Sequence, residues 1–231
     1  MRGATKTPRV YVVTGANRGI GLEFARRLAL RGDRVIATAR DPERARELGA
    51  LAVRVERLDI GDIPDIDAFA RRLEGQPVDC LINNAAIGEA DPGVERLPAE
   101  KLERYFRINT IGPLLVSRAL LPNLRAGRDK RIVSLTSGLG SVSQNQSGGW
   151  YGYRASKAAL NQLVRTLAAE LAPEGFTCIV LSPGWVKTDM GGPGATLTAE
   201  HSVEQMLRVI DRLSPEDNSK FLDQRGRRVP W

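Results

Sequence analysis

The chain has 231 residues, 42% hydrophobic and 26% charged, and can bury a sizeable core without disulfides or metal. Two cysteines, Cys80 and Cys178, and one histidine, His201, exclude a disulfide framework, a histidine triad and a multi-histidine metal site. Lys and Arg total 34 against 27 Asp and Glu, a net charge of +7, which invites a nucleic-acid partner.

The arginines argue against that partner. They interleave with acids, as in Asp41 to Glu47. The clusters Arg26-Arg27, Arg71-Arg72 and Arg225 to Arg228 lack an aromatic stacking platform. In chain order, Met1 to Arg9 is short and polar and has no apolar signal segment. Val10 to Val13 reads as a buried strand, Ile20 to Leu30 as a helix, Arg34 to Thr38 as a strand and Glu43 to Leu48 as a short helix. A strand over Leu51 to Leu58, a helix over Ile63 to Leu73 and a strand over Val78 to Ile82 follow. Helices are predicted over Pro98 to Phe106 and Thr110 to Arg125, and a strand over Arg131 to Leu135. The longest uncharged run, Ile132 to Tyr153, is rich in Ser, Gly, Asn and Gln, so no membrane span is expected. Tyr153 to Leu171 is a long helix, Thr177 to Leu181 a strand, Val203 to Leu213 a helix, and Lys220 to Leu222 a last short strand.

This alternation predicts an α/β fold: a doubly wound, mostly parallel, seven-stranded sheet with helices on both faces. No linker interrupts it, so one domain over residues 1–231 is expected, in the cytoplasm. Ligands of such sheets bind at the carboxyl ends of the strands.

The first strand runs into Thr14-Gly15-Ala16-Asn17-Arg18-Gly19-Ile20-Gly21. Gly15 allows a tight turn, and Gly19 and Gly21 let backbone approach a phosphate at the N-terminus of the helix that follows. A plain strand–helix turn is the alternative; the strand before and the helix after favour a dinucleotide site. At the second strand end, the place of the NAD-type carboxylate falls near Ala39, with Arg40 next. Asp41 lies late and suits a helix cap. Arg40 and Arg18 are therefore candidates for an added ribose phosphate, so NADP(H) is preferred over NAD(H).

Tyr153 and Lys157, four apart, share a helix face. Alone, such a pair is ordinarily two surface residues. Beside a dinucleotide loop, it reads as a tyrosine acid whose pKa a lysine cation lowers. Tyr151 is six from Lys157 and off that face.

Together these motifs resemble the short-chain dehydrogenases/reductases, whose glycine spacing and Tyr-x-x-x-Lys pair they share, and within them the C-factor and sniffer-type carbonyl reductases. The resemblance covers nearly the whole chain and implies a single-domain Rossmann fold. It implies that Asp59 holds the adenine edge and Ile60 packs on the ring. Asn83-Asn84-Ala85-Ala86 resembles the family's Asn-Asn-Ala-Gly, with Ala86 in place of glycine. Asn109 matches the asparagine that kinks a helix and supports a proton relay. Ser137 matches the serine that holds the substrate carbonyl, at a gap from Tyr153 about three residues longer than usual, which the 144–149 loop would absorb; Ser141 is the alternative. Pro183, Gly184, Val186 and Thr188 match the segment around the nicotinamide half, followed by a lid over 191–194. Trp150, Trp185, Met190 and Ile87 are candidate pocket walls.

The implied activity is hydride transfer from NADPH to a small-molecule carbonyl, a ketone, aldehyde or quinone, with Tyr153 as general acid. Two alternatives are a non-catalytic NADP(H)-binding sensor or signalling protein on the same fold, and an NAD-dependent alcohol dehydrogenase. Apolar residues on more than one face of the 110–125 and 153–171 helices suggest a homodimer or homotetramer.

Overall fold

The computed structural model describes residues 7–91 and 93–231, so most of the polar N-terminal stretch, Met1 to Lys6, lies outside the described residues. Seven strands form one sheet: β1 (Val10–Val13), β2 (Arg34–Ala39), β3 (Arg54–Arg57), β4 (Cys80–Asn83), β5 (Arg131–Leu135), β6 (Thr177–Ser182) and β7 (Phe221–Asp223). Their order is β3-β2-β1-β4-β5-β6-β7. Every ladder is parallel, so the mostly parallel expectation becomes an all-parallel sheet.

β1, β4, β5 and β6 are buried along their whole length, as near-continuous apolar runs require when helices cover both faces. Alternate residues feed two cores. Val10, Val12, Leu81, Ile132 and Val180 face one. There they meet α3 (Ile63–Arg72), α5 (Gly112–Ala119) and α7 (Tyr151–Leu171) through Phe69, Val116 and Leu160. Tyr11, Val13, Ile82, Val133 and Leu181 face the other. There they meet α1 (Gly19–Leu30), α2 (Arg46–Gly49) and α8 (Ala199–Arg212) through Phe24, Leu48 and Met206.

Several boundaries move for local reasons. The expected 51–58 strand contracts to β3, an edge strand that pairs only with Ile36 to Ala39. The 43–48 helix shrinks to one turn, because Asp41 already closes the preceding turn by accepting from the Arg44 amide at 3.3 Å. The 110–125 helix divides into a π-type turn over Arg107–Ile111, then α5, then α6 (Leu121–Ala126). Pro113 and Pro122 stand near the starts of α5 and α6, and each lacks the N–H that would carry the preceding helical ladder on. α8 starts four residues before the predicted Val203. Thr198 caps it by accepting from the His201 amide at 3.1 Å. α4 (Ala99–Phe106) completes the set.

The surface arginines are extensively paired with acids. Arg27, Arg31, Arg54, Arg72, Arg125 and Arg227 all have carboxylate partners, which supports the solvated-surface reading of the +7 charge. Among the described residues no helix is long and apolar enough to cross a membrane.

The amino ends of β1, β4 and β5 are tied by Asp79. Its carboxylate accepts from the amides of Val10 at 2.8 Å and Arg128 at 2.7 Å, and pairs with the Arg128 guanidinium at 3.1 Å. Burial pushes its pKa up, but the Arg128 guanidinium and the two amides outweigh that and hold it below the ordinary carboxylate value. A carboxyl held low stabilises the fold above its unfolded pKa, and the benefit is lost as pH falls through the folded value. Asp79→Ala should lower the unfolding free energy by about 2–3 kcal/mol at pH 7. Urea denaturation should show that deficit closing below about pH 4.

Candidate active site

The strand order reverses direction at β1 and β4, and their crossovers leave to opposite faces. A crevice opens there at the carboxyl ends. A cleft of about 820 Å³ fills it. The cleft runs from the glycine loop past the ends of β2 and β3, then along the loop after β4, the end of β5, the start of α7 and the segment after β6.

The glycine loop is built for close approach. Gly15 has φ +63°, and a methyl there would lie 2.9 Å from the Ala85 backbone. At Gly21 a methyl would strike the Gly15 carbonyl and lie 2.5 Å from the Asn84 side-chain nitrogen. α1 therefore packs directly under the turn, with its free N–H groups facing the cleft. Asn17, Arg18, Gly19 and Ile20 line the same wall.

Arg40 lines the cleft, is exposed, and has no hydrogen-bond or ion-pair partner among the described residues. Arg18 differs from expectation. It is ion-paired with Asp189 at 2.9 Å, across the cleft mouth, so meeting a phosphate would require it to leave that carboxylate. Asp59 and Ile60 line the cleft, and the Asp59 carboxylate accepts from the Gly61 amide at 2.9 Å.

The two asparagines after β4 part company. Asn84 lines the cleft, and its side-chain N–H groups donate to the carbonyls of Thr14 at 2.8 Å and Gly15 at 3.0 Å. Asn83 does not line it, a correction to its place among the cofactor residues. Strand alternation turns it inward, where it is 3% exposed and donates to Ser117 at 3.0 Å and Ser134 at 3.3 Å. Ala85 and Ile87 stand on the cleft wall.

Ser137, Tyr153 and Lys157 converge at the far end of the cleft. Ser141, the alternative, is turned away and donates to the Pro230 carbonyl at 2.6 Å. The extra residues between Ser137 and Tyr153 sit in an exposed loop over 142–149. Lys157 Nζ donates to the Leu135 carbonyl at 2.8 Å and lies 5.9 Å from the Tyr153 ring centroid. Asn109 occupies the π-type turn, so a helix irregularity is present where one was expected. Its side chain is buried behind the cleft wall, bonded to Ile87 and Ser156.

Pro183, Gly184, Trp185, Val186, Thr188 and Met190 line the opposite side. Trp185 is 57% exposed and donates from its ring to the Gly191 carbonyl at 2.9 Å, which ties it to the segment expected as a lid. Trp150 packs edge-on to Tyr153 with centroids 5.8 Å apart.

A family model described as short chain dehydrogenase matches residues 9–196. The chain belongs to that family. It is 49% identical over 164 residues to C-signal of Myxococcus xanthus, covering 71% of this chain and 99% of that one. Its fold superposes on carbonyl reductase Sniffer of D. melanogaster with a TM-score of 0.91. There the identity is 31%, with 98% of this chain and 100% of that one covered. The NADPH-bound carbonyl reductase from chicken fatty liver gives 0.91 at 37% identity, covering 97% and 99%.

Within this short-chain dehydrogenase the electrostatics of the pair depart from expectation. Burial pushes the Tyr153 hydroxyl up to about 12, against which the Ser137 hydrogen bond pulls it down. Burial also pushes Lys157 down to about 7, and the lysine does not lower the tyrosine here. Burial drives both groups toward their neutral forms, and Nζ is held by the Leu135 carbonyl rather than by the hydroxyl.

Sequence reasoning missed several contributors. Thr14 accepts from the amides of Asn84 and Ala85 at 3.0 Å each. Thr38 accepts from the Gly15 amide at 3.3 Å. Leu58, Ile108, Leu139, Lys187 and Asp189 also line the cleft. The hydroxyls at strand ends were the available signal.

The unfolded lysine holds its proton to about 10.5, whereas the folded one releases it above about 7, so the unfolded chain binds more protons between those values. Without added ligand, stability should therefore rise from pH 7 to 8.5 by up to about 1.4 kcal/mol per pH unit. Lys157→Met should flatten that rise in urea titrations at each pH.

Proposed function

We propose that the chain is an NADPH-dependent carbonyl reductase. The observation that carries this reading is the buried Tyr153 side chain, which lines one cleft with Ser137, Lys157 and the glycine cradle.

The cleft fits a dinucleotide on three counts. Gly15 and Gly21 leave a cradle that side chains would fill. The N-terminus of α1 supplies unpaired N–H groups for a diphosphate. Arg40, exposed and unpartnered among the described residues, supplies a cation where an NAD site would hold a carboxylate. Asp59 and Ile60 would hold the adenine. Asn84 and Ala85 hold the backbone floor, and Pro183, Gly184, Val186 and Thr188 the nicotinamide half. Bound there, the cofactor would supply a hydride to the carbonyl carbon.

The chain's own residues handle the proton. Burial keeps Tyr153 protonated at neutral pH, so it has a proton to give as negative charge grows on the substrate oxygen. Ser137 lines the same end of the cleft and would donate to the same oxygen, which holds the carbonyl in line. Lys157, titrating near 7, would stabilise the tyrosinate when charged and bond the cofactor ribose. Asn109 would support proton resupply through the Ile87 backbone it fixes. Trp150, Trp185 and Met190 would exclude water around an apolar substrate body.

NADPH oxidation against a panel of aldehydes, ketones and quinones tests the reading. Tyr153→Phe should reduce turnover by about a hundredfold or more while leaving NADPH binding in place. NADPH binding without reduction of any carbonyl, in the native protein, would favour a cofactor-sensing role. Arg40→Ala should weaken NADPH by roughly tenfold and leave NADH affinity unchanged in fluorescence titrations.

A further inference from the structure

Three side chains of one helical segment hold the loop after β4. α4 runs into the π-type turn over Arg107–Ile111, and Lys101, Tyr105 and Asn109 recur along it at intervals of four. The Asn109 side chain accepts from the Ile87 amide and donates to the Ile87 carbonyl, both at 2.9 Å. The Tyr105 hydroxyl accepts from the Glu89 amide at 2.9 Å and donates to the Glu89 carbonyl at 2.8 Å. Lys101 donates to the Ala90 carbonyl at 2.9 Å and pairs with Asp91 at 3.3 Å. The Asp91 carboxylate in turn accepts from the Gly152 amide at 3.3 Å, at the start of α7.

Gly88 is the residue between the two double clamps. A methyl group there would lie 2.7 Å from the Met190 sulfur and 3.0 Å from Tyr153 Cε2. The Gly88 backbone is thus a wall against the catalytic ring, and its place is fixed from both sides by the bonds to Ile87 and Glu89. Tyr105 also packs its ring edge-on to Tyr153, with centroids 6.4 Å apart and an interplanar angle of 73°. It is fully buried and does not line the cleft. Its effect on chemistry must pass through what it holds.

Resting on the reductase reading, we propose that Tyr105 is a positioning residue for substrate. Its hydroxyl, with the Asn109 side chain, sets Gly88 against Tyr153 and Met190, which line the cleft, and so fixes where these two walls of the carbonyl pocket stand. Without the hydroxyl, the Glu89 amide and carbonyl lose their partner and the wall can shift. A shift of this wall changes how a substrate seats without touching the cofactor cradle at the other end of the cleft.

Tyr105→Phe keeps the ring and its packing and removes only the clamp. The measurements are steady-state kinetics with carbonyls that the native protein reduces, NADPH titration, and amide hydrogen exchange over 87–91. KM for the carbonyl should rise by about three- to tenfold, while kcat and NADPH affinity change by less than about twofold. Exchange at the Ile87 and Glu89 amides should quicken. Lys101→Met, which frees the more exposed end of the loop, should shift KM in the same direction by less. A lower melting temperature with unchanged KM would mean that Tyr105 is only structural, and would overturn the proposal. A fall in kcat at constant KM would overturn it as well. If the native protein reduces no carbonyl, the reductase reading fails separately. Exchange then decides the clamp: faster exchange supports it and unchanged exchange overturns it.

Discussion

The carboxyl ends of β1 and β4 are joined by a reciprocal set of hydrogen bonds. The Thr14 hydroxyl accepts from the amides of Asn84 and Ala85, and the Asn84 side chain donates to the carbonyls of Thr14 and Gly15. These strands are neighbours whose chains leave toward opposite faces of the sheet. Backbone polar groups at such a parting have no ladder partner and would be left unpaired without side chains to meet them. The set closes that gap, and it fixes two functional walls at once: the glycine turn on one side and the 85–91 loop on the other. Gly21 can lie against Asn84 only because it has no side chain, so the same bonds also set how close α1 comes to the cleft.

From this junction the cleft divides by chemistry. The β2 side is polar and open, with Arg40 exposed and Arg18 tied across the mouth to Asp189. The β5 and α7 side is buried, and there burial governs the protonation of Tyr153 and Lys157. Tyr153 is driven up and Lys157 down by the same loss of water. A lysine that titrates near 7 can respond to ligands, because a polar group arriving beside Nζ offsets part of the desolvation that depresses it. The Tyr153–Lys157 pair is set by its surroundings more than by mutual contact, since Nζ is held by the Leu135 carbonyl.

Much of the fold was legible because its signals are local. Short apolar runs gave β1, β4, β5 and β6, and helical spacing gave α1, α3 and α7. What shifted had a nonlocal cause. β3 is short because only four of its residues find a partner in β2. The helix expected over 110–125 begins in a π-type turn whose Asn109 is bonded to Ile87, 22 positions away. Asn83 and Asn84 are identical residue types side by side, and only strand alternation sends one into the core and the other to the cleft.

By itself the sequence determined the type of sheet, the glycine cradle at its first strand end, the Tyr153–Lys157 pair on one helix face, and the absence of a carboxylate at the end of β2. Each of these is a matter of residue type at short spacing, which periodicity and backbone geometry convert directly into place. The tertiary structure alone decided that Ser141 turns away to the Pro230 carbonyl, that Arg18 is held by Asp189 and Arg40 is not, and that Tyr105 clamps the loop beside the Tyr153 ring. Those outcomes depend on which distant groups are buried together and which polar atoms then need partners, and no local window of sequence contains that information.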